Sequence, residues 1–384
     1  MATKHYDLIV VGLGIMGAAT AWQASQKKAS VLALEVGGPS HREGSSHGAT
    51  RIFRQAYWEG KDYLQLLRLA DAGWRELEHQ SNIKLRASTG GIFIGPKSTS
   101  VVAGSLETAR LGGIQHEHLS ADDIRCKFPQ FAIFSDMEAV FEPGAYPVFA
   151  EESRLQMLNE AVRNGAHLMY GIQVSEFITK HTNPIIKTMS GEKILGSALV
   201  ICAGAWTKDL LPELQSFIKP HWVPIHWFQP RPKSDTLFNE KAFPVFLYED
   251  KLGALLYGFP SGLSSERGVK IGFHNRQHVP WNPGQNPPDI KIFANEIANS
   301  IENIFPELYP NPRDSRWCIY TMSKDESFII DKSKSHSKIF FASVCSGHGF
   351  KFAPAIGKIM TELGLGLALS ADIAHFGISR FHSR

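Results

Sequence analysis

The sequence predicts an α/β chain, α+β overall, in which a discontinuous Rossmann-like dinucleotide-binding domain carries a substrate domain built on a large mixed, mostly antiparallel sheet. Three observations predict this. A β-branched run, Tyr6 to Val11, leads into Gly12-Leu-Gly14-Ile-Met-Gly17 and a helix-like stretch reaching about Lys28. From Trp222 to His274 the chain reads as consecutive strands (WVPIHWF, PVFLYE, GALLYGF, VKIGFH) with Pro, Gly and Ser between them. After them, strand-like KIFFASV and a helix-like segment carrying Ile356, Met360, Leu363 and Leu367 restore the α/β texture.

Taken in order, the first unit continues from the glycine loop into a second apolar run, Ser30 to Leu34, which ends at Glu35 and completes a βαβ motif. Gly60 to Gln80 sets Leu64, Leu67, Asp71, Trp74 and Leu77 on one helical face, the stripe of a surface helix. GGIFIGP then reads as a strand and ETARLGG as part of a helix. A further amphipathic helix with Leu155, Leu158 and Val162 precedes strand-like AHLMYG and SALVICAGAW. Pro354 suits the first turn of the last helix, where a missing N–H costs nothing. Alternation of these textures assigns 1-85, 150-219 and 319-384 to the dinucleotide domain, and 86-149 and 220-318 to the inserted sheet domain.

Bulk composition excludes several classes. Lys+Arg 40 against Asp+Glu 37 gives +3 overall with no long run of one sign, which does not support a nucleic-acid footprint or a polybasic membrane patch. No stretch reaches the roughly 18 apolar residues of a membrane span. The N-terminal apolar run is too short for a secretory core, and the chain is expected to be cytoplasmic. Cys126, Cys202, Cys318 and Cys345 lie far apart without zinc-like spacing, so reduced thiols and no metal are expected.

In the glycine loop, Gly12, Gly14 and Gly17 allow a tight turn, a close approach of backbone to a pyrophosphate, and close helix–strand packing. The helix N-terminus behind them favours phosphate charge. Glu35 can accept hydrogen bonds from a ribose 2′-hydroxyl and argues against a 2′-phosphate. This stretch by itself does not decide between NAD and FAD.

Directly after it, GSSHGATRIFR places His47, Arg51 and Arg54 in one glycine-bearing loop, with Tyr57 and Glu59 close behind. Near the other end stands VCSGHGFKF, with Cys345, Gly347, His348, Gly349 and Lys351. Together with CAGAW at 202 to 206, YGFPS at 257 to 261, VKIGFH at 269 to 274 and CIYTMSKDESFIID at 318 to 331, these segments resemble the monomeric sarcosine oxidase and N-methyltryptophan oxidase family of FAD-dependent amine oxidases. The likeness spans essentially the whole chain, and the motifs follow the family's order.

The resemblance implies an FAD-binding domain and a pocket for a small secondary amino acid. It puts Arg51 and Lys351 on the substrate carboxylate, a fork and a point charge suited to that group. Lys270 falls on the lysine that promotes reaction with oxygen, where a fixed cation stabilises developing superoxide. His274, on the same strand face as Lys270 by period 2, corresponds to a substrate-positioning histidine. Tyr257 and Tyr320 correspond to pocket tyrosines, and His47, Thr50 and Arg54 to residues beside the flavin. Gly347, His348 and Gly349 form the turn against it.

The family links FAD through a cysteine sulfur. Cys318, which precedes Tyr320 and the DESFIID stretch, matches that cysteine, whereas Cys345 reads as a small buried apolar residue. Noncovalent FAD remains the alternative. The implied reaction is oxidative demethylation of an N-methyl amino acid of the sarcosine or N-methyl-L-tryptophan type, giving the amino acid, formaldehyde and hydrogen peroxide, by a monomer. A cyclic secondary amino acid such as pipecolate or proline, or a dehydrogenase with a non-oxygen acceptor, is the alternative reading. The chain departs from the family's HHGDTR in carrying Ser46 and Ala49.

Overall fold

A computed structural model describes residues 5–97, 99–263, 268–282 and 284–382. Two large sheets organise the chain. In the first, His5–Val11 lies between Lys193–Ile201 and Val31–Glu35, parallel to both. Ile339–Ser343 and His167–Tyr170 extend it, also in parallel, beyond Lys193–Ile201 and Val31–Glu35 respectively, and Ile329–Lys332 closes one edge antiparallel. Leu8, Ile9, Val10, Leu32, Ala33, Leu199 and Val200 are all buried, as expected of strands covered on both faces.

Helix Ile15–Gln26 packs between Ala150–Arg163 and Ala353–Leu365. Its near-total burial explains a sequence of small residues, Ala18, Ala19, Ala21 and Ala24, around Trp22. The helix Leu64–Ser81 buries Leu67, Trp74 and Leu77 of the predicted stripe and adds Leu66, Ala70 and Gly73. In Ala150–Arg163 the stripe differs from the expected one. Met157, Leu158 and Ala161 face the core, while Leu155 and Val162 are exposed on the far side. Leu367 likewise lies outside the last helix, which ends at Leu365 with Gly366 in the left-handed conformation.

The second sheet runs Ile218–Phe228, Val269–Phe273, Leu255–Phe259, Val245–Glu249, Gly91–Pro96, Met137–Glu142, Glu117–Ser120. All its neighbours are antiparallel except Val245–Glu249 with Gly91–Pro96. Asp314–Ser323 pairs with Ile218–Phe228 over ten residue pairs, with Cys318 opposite Val223 and Tyr320 opposite His221. This strand is unbroken across the boundary at 318/319 drawn from the sequence. A short ribbon, Thr50–Phe53 with Tyr146–Phe149, stands apart from both sheets and carries the Thr50-Arg51 segment. Among the described residues, no helix is long and apolar enough to cross a membrane.

Candidate active site

The first strand delivers the chain into Gly12 at φ +92, and a Cβ there would lie 2.6 Å from the carbonyl oxygen of Cys202. A Cβ at Gly17 would lie 1.7 Å from the carbonyl oxygen of Gly12. The loop is therefore folded against itself and its neighbour strand, which leaves the start of the helix open to a ligand. Gly14, in ordinary extended backbone, caps that helix. Ser46 turns its hydroxyl onto the first helical N–H, accepting from Ile15 at 2.9 Å. Glu35 accepts from the N–H of Leu13 at 2.7 Å and of Gly37 at 2.9 Å, with His41 Nε2 3.6 Å away. Burial pushes the Glu35 carboxyl up, but His41 and these two N–H groups outweigh it and hold it down at about 2. Each of its oxygens retains capacity for a further donor.

From this loop a cavity of about 540 Å³ runs to the far end of the site, where Arg54, Tyr257, His274, Tyr320 and Lys351 line it. Its walls come from both sheets, the Thr50–Phe53 ribbon and the turn before the last helix. The predicted residues from Gly12 to Lys351 line this one cavity although they are spread over the chain, except Gly17, which packs behind the loop against Gly12.

Lys270, in the cavity wall, is buried and donates to the hydroxyl of Thr50 at 2.8 Å and to its carbonyl at 3.0 Å, with its ammonium 4.5 Å from the ring centroid of Phe259. Arg51 donates to the carbonyls of Ser45 (2.9 Å), His47 (2.8 Å) and Thr50 (2.9 Å), and its Nη2 stands 3.9 Å from the sulfur of Cys318. Burial pushes the Cys318 thiol up and Arg51 pulls it back. Burial, and next the Arg51 charge, push His47 down to about 4, so its ring is neutral near pH 7. Cys345 has a different partner: its sulfur accepts from the N–H of Thr321 at 3.3 Å.

At the far end the fold makes a different pairing from the one expected. Arg51 is engaged by the 45–50 loop and Cys318, and it is Arg54 that stands with Lys351. The Arg54 guanidinium and the Lys351 ammonium lie 4.4 Å and 5.0 Å from the ring centroid of Tyr57. Arg54 also donates to both oxygens of Glu59 at 2.6 Å. Burial raises the Glu59 carboxyl, yet the charge and hydrogen bonds of Arg54 together with the neighbouring His348 and Lys351 outweigh it and bring it to about 2. Burial first, and then Arg54, push Lys351 down to about 7. Lys351 donates to the carbonyl of His348 at 2.8 Å, and its own carbonyl accepts from the Trp74 indole at 2.8 Å.

Two further features shape this end. Gly347, at φ +78, lies so close to Tyr320 and His274 that a Cβ would come within 2.6 Å and 3.0 Å of their rings. Gly349 closes the same turn by donating to the carbonyl of Cys345 at 2.9 Å. His274 and His348 are held near 3 and 4 respectively, chiefly by burial, and are neutral. Burial likewise pushes Tyr257 up to about 12 and Tyr320 well above its ordinary value, so both remain phenols.

The chain is similar in sequence and fold to known proteins. The family described as DAO, FAD dependent oxidoreductase, covers residues 7–363. Monomeric sarcosine oxidase of Streptomyces avermitilis is 34% identical over 373 residues, covering 96% of this chain and 95% of that protein. N-methyl-L-tryptophan oxidase of Salmonella enteritidis is 31% identical over 379 residues, covering 98% and 99%. The chain belongs to this family of FAD-dependent amine oxidases. Among solved structures, NikD, described as an unusual amino acid oxidase, superposes with a TM-score of 0.83 at 21% identity over 98% of each chain. L-proline dehydrogenase from P. horikoshii gives 0.81 at 18% over 99% of this chain and 98% of that one.

The family implies FAD, and the residues present fit it. The cradle of Gly12 and Gly17 has no room for a Cβ, the helix behind it presents N–H groups, and Glu35 retains acceptor capacity beside it. The cavity continues from there to Cys318. Sequence reasoning did not find the roles of Tyr57, Glu59 and Glu142. Buried Glu142 accepts from the N–H groups of Gln55 (3.0 Å) and Ala56 (2.9 Å), which turns the chain after Arg54. Its signal, a lone acid in VFEPGAY, is indistinguishable from a solvated loop carboxylate.

Proposed function

We propose that this chain oxidises secondary amino acids, foremost N-methyl amino acids of the sarcosine or N-methyl-L-tryptophan type, with oxygen as acceptor. The products are the primary amino acid, formaldehyde and hydrogen peroxide. The observation that carries this reading is the pair of buried cations, Arg54 and Lys351, lining the same cavity as the dinucleotide cradle. The glycine cradle, Glu35 and Cys318 would hold FAD, which would supply a hydride acceptor for the carbon beside the amine nitrogen and a route for the electrons to oxygen.

The protein's own groups then have distinct tasks. Arg54 and Lys351 bind the carboxylate, the planar fork setting orientation and the lysine adding charge. An incoming carboxylate favours the ammonium form of Lys351, whose burial alone would disfavour it. Arg54, Lys351 and Lys270 together disfavour a second cation, so the amine is bound neutral and its lone pair is available. Neutral His274, beside Tyr320, can accept or donate without adding charge. Lys270, fixed by Thr50, places a positive charge where negative charge develops during oxygen reduction. Cys318 is the attachment point for FAD, its thiolate favoured by Arg51. The cytoplasmic, monomeric state belongs to the same reading.

The test is a panel of sarcosine, N-methyl-L-tryptophan, proline and pipecolate given to the purified yellow protein in air. The reading expects flavin bleaching and peroxide with an N-methyl amino acid. Bleaching without peroxide moves the protein to a dehydrogenase, and no bleaching by any of the four overturns the reading.

A further inference from the structure

Tyr57 has no part in the reaction as described above, yet both its ring and its hydroxyl bear on the carboxylate-binding pair. It is fully buried, and the Arg54 guanidinium and the Lys351 ammonium lie over its ring at 4.4 Å and 5.0 Å. Two cations brought together in a desolvated site repel each other, and the hydrogen bonds of Glu59 go to the Arg54 guanidinium. The negative face of an aromatic ring attracts both at once without neutralising either, which a second carboxylate would do. The hydroxyl is tied down as well. His348 Nε2 lies 3.0 Å from the carbonyl of Glu326, which can only accept, so Nε2 carries the proton and Nδ1 accepts from the Tyr57 hydroxyl at 2.5 Å. The carbonyl of that same His348 accepts from Lys351 at 2.8 Å. Tyr57 therefore holds the lysine by its ring and, through His348, by its hydroxyl. The ring itself is fixed edge-on by Phe352 and lies against Tyr63.

We propose that Tyr57 is a positioning residue whose ring holds Arg54 and Lys351 together as charged groups, in register for a substrate carboxylate. The proposal rests on the reading of Arg54 and Lys351 as the carboxylate site. The charged and titratable groups facing Lys351 are Arg54, Glu59, His274, His348 and Tyr57 itself. Of these the ring favours the ammonium without bearing charge. The ring of Tyr57 thereby sets the affinity for carboxylates and its pH dependence.

The experiment titrates the FAD-loaded enzyme with acetate, a carboxylate without an amine, and follows the visible flavin spectrum from pH 6 to 9. Tyr57→Phe keeps the ring and is expected to bind acetate within about threefold of the parent. Tyr57→Leu, or pentafluorophenylalanine at position 57, which keeps the shape and inverts the ring's charge distribution, is expected to weaken acetate about tenfold or more. The decline in affinity as Lys351 loses its proton should also move to lower pH. If the pentafluoro enzyme binds acetate as the parent does while Lys351→Met does not, the role of Tyr57 is overturned and the carboxylate site stands. If Lys351→Met and Arg54→Met both bind acetate as the parent does, the underlying reading fails instead. The fluorinated ring keeps the test decisive even if the leucine variant does not fold.

Discussion

The guanidinium of Arg51 stands 3.9 Å from the sulfur of Cys318, while three backbone carbonyls of the 45–50 loop hold it there. This places a fixed positive charge beside a buried thiol, in the wall of the cavity that a dinucleotide cradle opens. It also keeps Arg51 apart from Arg54 and Lys351, which meet over the Tyr57 ring.

The proposed covalent flavin at Cys318 is tested by acid precipitation. Acid-precipitated protein should keep its yellow colour in the parent and in Cys345→Ser, and lose it in Cys318→Ser. Arg51→Met should slow attachment of FAD added to the apoprotein, because the thiol, already raised by burial, loses the charge that lowers it. Below the thiol pKa the rate should then recover about tenfold per pH unit as the thiolate fraction grows. Colour retained in the Cys318→Ser pellet would remove Cys318 from the link.

Carboxylate recognition should fail selectively. Arg54→Met and Lys351→Met each remove a charge-assisted bond of about 1.5–3 kcal/mol, so KM for an amino acid should rise roughly 10- to 100-fold. Arg51→Met should affect KM far less. Lys351 is held near pH 7, and its ammonium form prevails below that value. Affinity for a carboxylate ligand should therefore fall as pH rises above about 7, and Lys351→Arg should flatten the profile. Steady-state KM across pH 6 to 9 checks both statements.

Lys270→Met should separate the two half-reactions. Anaerobic reduction by substrate should change little, while reoxidation in air should slow by roughly 10²-fold or more, the scale of removing one electrostatic stabiliser from a closed site. Stopped-flow absorbance measures the two rates apart. Equal losses in both would assign Lys270 to substrate binding instead.

The cofactor cradle should not tolerate a methyl group. Gly17→Ala puts a Cβ 1.7 Å from the Gly12 carbonyl oxygen, with Gly12 itself against Cys202, so neither partner can move without displacing a central strand. Loss of FAD binding and destabilisation of about 3 kcal/mol or more are expected, read by flavin content and by the thermal midpoint. Gly38→Ala, with open space at its Cβ, should be silent in both measurements.

The sequence by itself determined the cofactor end of this protein. Gly12, Gly14, Gly17 and Glu35 belong to one βαβ unit, where strand and helix geometry carries spacing directly into position. It also marked Lys270, Cys318 and the SGHGFK turn, through motifs in the order that a known family shows. The tertiary structure decided which arginine meets Lys351. Arg51 and Arg54 stand three positions apart, and nothing local distinguishes them. Arg51 lies within the Thr50–Phe53 strand opposite Val148, while Arg54 follows it, where Glu142 captures the next two N–H groups and turns the chain inward. That turn depends on an acid some ninety residues away, as the meeting of Arg54 and Lys351 on Tyr57 depends on a helix start near the other end of the chain. Contacts between distant segments form only when the sheets close around the cavity, and no periodicity or spacing within one segment encodes them.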